Sequence, residues 1–135
     1  MSQPEPKAKL VLEATISPSE DPAKVLQAMK KVVGEASCDF ATTPHSARLA
    51  TEDPRALVRV KEQLRDRHVR SAARKQMLLS ISECSTSLML NRQAAAAGVI
   101  ALCGSPEESP LGPIYITVES EKIATVIDWL TAYAG

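Results

Sequence analysis

Few of the features that announce a function are present in this chain. Aromatic residues make up 3% of its 135 positions: Phe40, Tyr115, Trp129 and Tyr133. The core must therefore be built from aliphatic side chains, and base stacking has few rings to work with. The three cysteines, Cys38, Cys84 and Cys103, lie far apart and form no Cys-x-x-Cys pair. That argues against a disulfide framework and against zinc. The two histidines, His45 and His68, have no ligand spacing to a partner, so no metal and no cofactor is expected. No run approaches the roughly 20 apolar residues of a membrane span. Met1 to Lys7 is polar and lacks the apolar core of a signal peptide, which places the chain in the cytoplasm by expectation. A nucleophile elbow, a phosphate-binding Gly-rich loop and a His-Glu-x-x-His pattern are all missing, so the chain reads as no enzyme.

What is present points to one folded domain. The apolar fraction of 44% and charged fraction of 24% exclude a disordered chain. Residues 1–7 read as a tail and 8–135 as a single α+β domain. Lys9 to Ser17 alternates, with Leu10, Leu12, Ala14 and Ile16 on one face, as in a half-buried strand. Asp21-Pro22 opens a helix whose stripe is Val25, Leu26, Met29, Val32 and Val33. Gly34 can end it. Cys38–Thr42 and Ala47–Thr51 read as two short strands about a turn. Glu52-Asp53-Pro54 then repeats Glu20-Asp21-Pro22 and opens a long helical region to Ser82.

The buried stripe of that region changes side after Asp66. Leu57, Val60 and Leu64 lie on one side, and Val69, Ala72, Ala73 and Leu79 on another. A straight helix does not move its apolar face so abruptly, so a break is predicted between Asp66 and Val69. Cys84–Leu90 reads as a strand with Thr86, Leu88 and Leu90 on one face. Asn91–Ala97 reads as a turn or bulged crossover into a strand over Val99–Leu102. Gly104–Pro113 is a loop, Ile114–Val118 a strand, and Ser120 caps a last helix carrying Ile123, Val126, Ile127, Leu130 and Tyr133. The predicted order is β-α-β-β-α(α)-β-β-β-α, with helices packed on a mostly antiparallel sheet.

Zero net charge hides an asymmetry. From Arg55 to Arg92 there are nine cations against three acids, a net of +6, and the rest of the chain carries −6. Seven of the nine are Arg, whose planar fork suits phosphate oxygens. Arg70, Arg74 and Lys75 have no nearby downstream acid, which makes them the candidates for phosphate contact. Solvated helix faces carry such charge runs as well.

Two segments are more distinctive. One runs Ser85 to Ala95 and includes Leu-Asn-Arg-Gln-Ala-Ala; the other runs Glu108 to Ser120 and includes Ser-Pro-Leu-Gly-Pro-Ile. With the Ile127-Asp128-Trp129-Leu130 end, they resemble an uncharacterised archaeal protein family predicted to bind RNA. A related family has been proposed to associate with the exosome. The resemblance implies an α+β fold similar to RNA-holding ribosomal proteins. It also brings Asn91, Arg92 and Gln93 forward, since each can donate a hydrogen bond to RNA. The leading expectation is a non-catalytic RNA-binding protein, contacting phosphates through Arg70, Arg74, Lys75 and Arg92, with Asn91 and Gln93 adding polar contacts. The rival is a protein-interaction module forming a homodimer.

Overall fold

The computed structural model describes residues 6–66, 68–109 and 111–131. Its elements are β1 (Lys9–Thr15), α1 (Pro22–Val33), β2 (Asp39–Thr42), β3 (Ser46–Thr51), α2 (Pro54–Asp66), α3 (Arg70–Ser80), β4 (Ser85–Leu90), α4 (Arg92–Ala96), β5 (Ile114–Glu119) and α5 (Ile123–Leu130). The strands form one antiparallel sheet in the order β2-β3-β1-β5-β4. Most of the expected tail, residues 1–5, lies outside the described residues, as does Tyr133. Among the described residues no helix is long and apolar enough to cross a membrane.

One face of the sheet is covered and the other is not. Register places Leu12 beside Leu49 and Ile116, with Leu88 next to Ile116, and all four are buried. Val25, Met29 and Val32 of α1, Leu57, Val60 and Leu64 of α2, and Val126, Ile127 and Leu130 of α5 join them in one core. Alternation sends the next row, Ala41, Arg48, Glu13, Tyr115 and Met89, to the opposite face. Of these, all but Met89 are exposed. Packed by helices on one side and more open on the other, the antiparallel sheet shows the alternation read from β1 except at Val11, which is buried on the second face.

Both Glu-Asp-Pro sequences start helices by the same chemistry. Asp21 caps α1 and accepts from the Ala23 amide at 3.0 Å. Asp53 accepts from the Arg55 amide at 2.9 Å and from the Ser37 amide at 2.9 Å. Side-chain hydrogen bonds from Arg55, together with those amides, hold the Asp53 carboxyl well below the usual range. The break predicted after Asp66 is present. The Val69 amide donates to the Leu64 carbonyl and the His68 amide to the Arg65 carbonyl, each at 3.1 Å. This double closure ends a helix by turning one residue left-handed, and that residue is His68 at φ 55°.

Two expectations need correction. Where a strand is predicted over Val99–Leu102, the chain makes a single bridge, Leu90 to Leu102. The preceding alanines follow their intrinsic preference and form α4. Ala95 is buried, and α4 is tied to α1 by Lys31 Nζ donating to the Ala96 carbonyl at 2.6 Å. Six predicted strands thus become five. Ser120 does not occupy the cap position of α5, which falls at Lys122. The Ser120 hydroxyl instead accepts from the Lys122 amide at 3.2 Å and donates to the Lys7 carbonyl at 2.8 Å.

The left-handed His68 gives a test of this break. A non-Gly residue there costs about 1–2 kcal/mol, part of which Gly recovers after its larger unfolded-state entropy is subtracted. His68→Gly is expected to stabilise the fold by about 0.5–1 kcal/mol in urea denaturation. A loss of stability would contradict the assigned helix end.

Candidate binding surface

The two distinctive strings meet, and they meet inside the protein. Asn91 follows β4 with extended backbone and caps α4, its Oδ1 accepting from the Ala94 amide at 2.9 Å. Arg92 then occupies the first turn of α4 and is only 5% exposed. Its amide donates to Ser109 Oγ at 3.0 Å. One guanidinium nitrogen reaches both carboxylate oxygens of Glu20, at 2.7 and 2.8 Å. The second terminal nitrogen lies 3.5 Å from the Pro113 carbonyl, and Nε is buried with no hydrogen-bond partner among the described residues. Glu20 also accepts from the Ser17 amide at 2.9 Å. Segments 17–20, 91–92 and 109–113 are thereby tied together through one buried cation.

Arg92 therefore does not present its charge to a phosphate at the surface. The expectation is corrected for a physical reason: a buried cation needs a paired acid, and Glu20 supplies it. Asn91 is likewise engaged with its own helix, while Gln93 is exposed. On α3, Arg70 and Lys75 are exposed, and Arg74 donates to Asp128 of α5 at 2.6 Å. α3 packs on β4 and α5, whereas α4 packs on α1. Of the six predicted residues, three lie on α3 and three at the start of α4, and Arg92 among them is buried.

The other cations of the basic segment are dispersed in the same way. Arg55 pairs with Asp53 at 2.7 Å. Arg59 Nε donates to the Lys31 carbonyl at 2.9 Å. Lys61 lies 4.3 Å from the centroid of the Trp129 ring. Arg67 lies outside the described residues.

A different surface stands out on α3. Strand β4 is at the edge of the sheet, so its alternate backbone groups point away from β5 and need partners. Gln76 of α3 accepts from the Met89 amide at 2.7 Å and donates to the Cys103 carbonyl at 2.9 Å. Ser80 accepts from the Ser87 amide at 3.1 Å and donates to the Ser87 carbonyl at 3.0 Å. Ser82 and Ser85 exchange a pair at 2.8 Å, and the Asn91 amide donates to the Ala101 carbonyl at 2.7 Å. Gln76 and Ser80 are one helical turn apart, about 6 Å, close to the two-residue repeat of a strand. The edge is thus closed by a helix whose inward side is partly polar.

That register decides what faces outward. Ala73 and Met77 are buried, whereas Ser71, Ala72, Lys75, Leu78 and Leu79 are exposed. Leu79 is 80% exposed, beside Leu78 at 46% and Ile81 at 40%. The predicted apolar stripe included Ala72 and Leu79, and both point to solvent instead. Gln76 and Ser80, a polar pair at i and i+4 just before a strand, are the signal that could have located the true inner side.

No family model matches the chain. It is similar to a UPF0201 protein of Sulfurisphaera tokodaii, 34% identical over 125 residues, covering 91% of this chain and 86% of the relative. A UPF0201 protein of Aeropyrum pernix is 33% identical over 127 residues, covering 92% and 85%. Among solved structures, a UPF0201 protein from Methanococcus jannaschii superposes with a TM-score of 0.76 at 23% identity, over 91% of this chain and 98% of that one. A DUF54 protein from Methanothermobacter thermautotrophicus gives 0.61 at 16% identity, over 89% and 92%. These two structures share the fold.

The Glu20–Arg92 pair makes the fold acid-sensitive. Burial pushes the Glu20 carboxyl up, but the Ser17 amide and the hydrogen bonds and charge of Arg92 outweigh it and bring it below 4.5. A lowered folded value stabilises above the unfolded one. Glu20's contribution is therefore complete above pH 4.5 and is lost as pH falls through the folded value. Urea midpoints from about pH 3 to pH 7 should fall on acidification, less steeply in Glu20→Gln. Arg92→Met leaves Glu20 buried and unpaired, and is expected to cost about 3–5 kcal/mol. A cost under about 1 kcal/mol would place the pair at a solvated surface.

Proposed function

The chain belongs to the archaeal UPF0201 family, and on that footing we propose that it is a non-catalytic cytoplasmic binding protein whose working surface is the outward side of α3. One observation carries this reading: Leu79, Leu78 and Ile81 stand together in solvent. Burying such side chains is worth about 25 cal/mol per Å² of apolar surface, so their exposure leaves a gain that a partner can realise. Contiguous exposed apolar groups rimmed by polar residues mark protein contacts, and here Ser71 and Lys75 precede them and Glu83 follows. Placing a photo-crosslinking benzoylphenylalanine at Leu79 should yield protein adducts in a native lysate. The same probe at Glu13, on the open sheet face, serves as the control. Absence of any adduct specific to position 79 would overturn the reading.

Structured RNA is the second reading. It draws support from Arg70 and Lys75, which are exposed on α3 and make no ion pair among the described residues. With so few phosphate contacts, log affinity should fall with log salt at a slope of only about −2. Arg70→Ala should reduce that slope by about 1, whatever the RNA sequence. RNA binding that is absent, or unaffected by Arg70→Ala, would exclude this route.

A further inference from the structure

Independently of α3, we propose that β2 is the seam of a dimer, pairing antiparallel with β2 of a second copy about a two-fold axis at Ala41. The sheet has two edges, β4 and β2, and among the described residues only β4 is closed by other segments. The Thr43 amide donates to the Ser46 carbonyl at 2.8 Å, and hydrogen-bonded pairs alternate along an antiparallel ladder. Ala41 and Asp39 therefore bond to Arg48 and Ala50, and Phe40 and Thr42 turn their amides and carbonyls outward. No strand or loop hydrogen bond covers those four groups among the described residues. Every residue of β2 is exposed, Phe40 to 53%. Residues 39–42 hold no proline, lysine or bulge, the usual devices against strand addition.

A second copy is selected because β2 complements itself in one register. A two-fold contact uses one patch twice. With the axis at Ala41, Phe40 of each copy faces Thr42 of the other. The outward groups then pair completely, in four hydrogen bonds with none left over. Ala41 meets its own copy in a non-hydrogen-bonded pair, where Cα atoms approach to about 4.5 Å and a small side chain fits. Asp39 faces Thr43, so no like charges are opposed. The neighbouring registers fail. An axis at Thr42 sets Phe40 against Pro44, which has no amide to donate. An axis at Phe40 sets Thr42 against Cys38, beyond the end of the strand. Phe40 lies on the helix side, opposite Leu49, with Lys30 Nζ 4.0 Å from its ring centroid. In the Ala41 register the two Phe40 rings are diagonal neighbours and cover each other. α1 packs more on β3 than on β2, and the two copies of β3 stand three strand spacings, about 14 Å, apart. Helices pack at about 8–10 Å, so α1 and its copy leave room for both rings. Four hydrogen bonds and two rings make a small contact, so association should be reversible.

In sedimentation equilibrium of the full chain from about 10 μM to 1 mM, the average mass should rise from one chain toward two. Over the same range the Phe40 and Thr42 amides should exchange hydrogen more slowly, while the Ala41 amide, paired with Arg48, should not change. Thr42→Pro removes an outward amide, a change an edge strand tolerates. It should weaken association about tenfold with an unchanged far-ultraviolet circular dichroism spectrum. Ala41→Lys and Ala41→Glu should each stay single, since like charges then meet at the axis, and an equimolar mixture of the two should associate again. A wild-type chain that stays single at every concentration would overturn the proposal. So would a dimer indifferent to Thr42→Pro, or a mixture that stays single while the wild type associates. A dimer lost in Leu79→Asp but kept in Thr42→Pro would overturn the β2 seam and move the contact to α3.

Discussion

The open edge of β4 is the constraint from which the rest follows. An edge strand must have its outward amides and carbonyls satisfied or leave them to solvent and to other chains. Here α3 satisfies them with Gln76 and Ser80, and the return of residues 101–103 covers the end near Leu90. Those bonds fix the helix in rotation as well as in place. Thr86 adds to the lock, its hydroxyl donating to the Met77 carbonyl at 2.5 Å. With Gln76, Met77 and Ser80 engaged by β4, Leu78, Leu79 and Lys75 are left exposed. The apolar exposure on α3 is a consequence of closing the sheet.

The second organising contact is internal. Arg92 and Glu20 are 72 positions apart and join the turn before α1 to the junction of β4 and α4. Ser109 and Pro113 extend the connection to the loop that leads into β5. Gly112 at φ +93 passes close to this group: a side chain there would begin 3.8 Å from the Arg92 guanidinium and would strain the backbone. The distinctive strings around Arg92 and Ser109 are thus accounted for by packing.

Much of the fold was legible in the sequence because it depends on neighbours. The alternation from Leu10 to Ile16, the Asp-Pro helix starts and the displaced stripe after Asp66 are local signals, and each has its counterpart in the structure. The site was less legible because it depends on pairing at a distance. Nothing near Arg92 in sequence names Glu20 as its partner, so an exposed, phosphate-facing arginine was the natural expectation. The inner side of α3 was misread for the same reason: Gln76 and Ser80 turn inward to meet backbone groups of a strand that has not yet begun. Net charge summed over a segment counted Arg55, Arg59, Arg74 and Arg92 as surface charge, whereas each has a partner within the fold.

Hydrogen exchange at the β4 edge tests the central claim most directly. If α3 closes the edge and is thereby held in rotation, the outward amides of Ser87 and Met89 should exchange as slowly as the inward amides paired with β5. In Gln76→Ala the Met89 amide should lose that protection while the inward amides keep theirs. A Met89 amide that exchanges in the wild-type chain like that of a free edge strand would contradict the account.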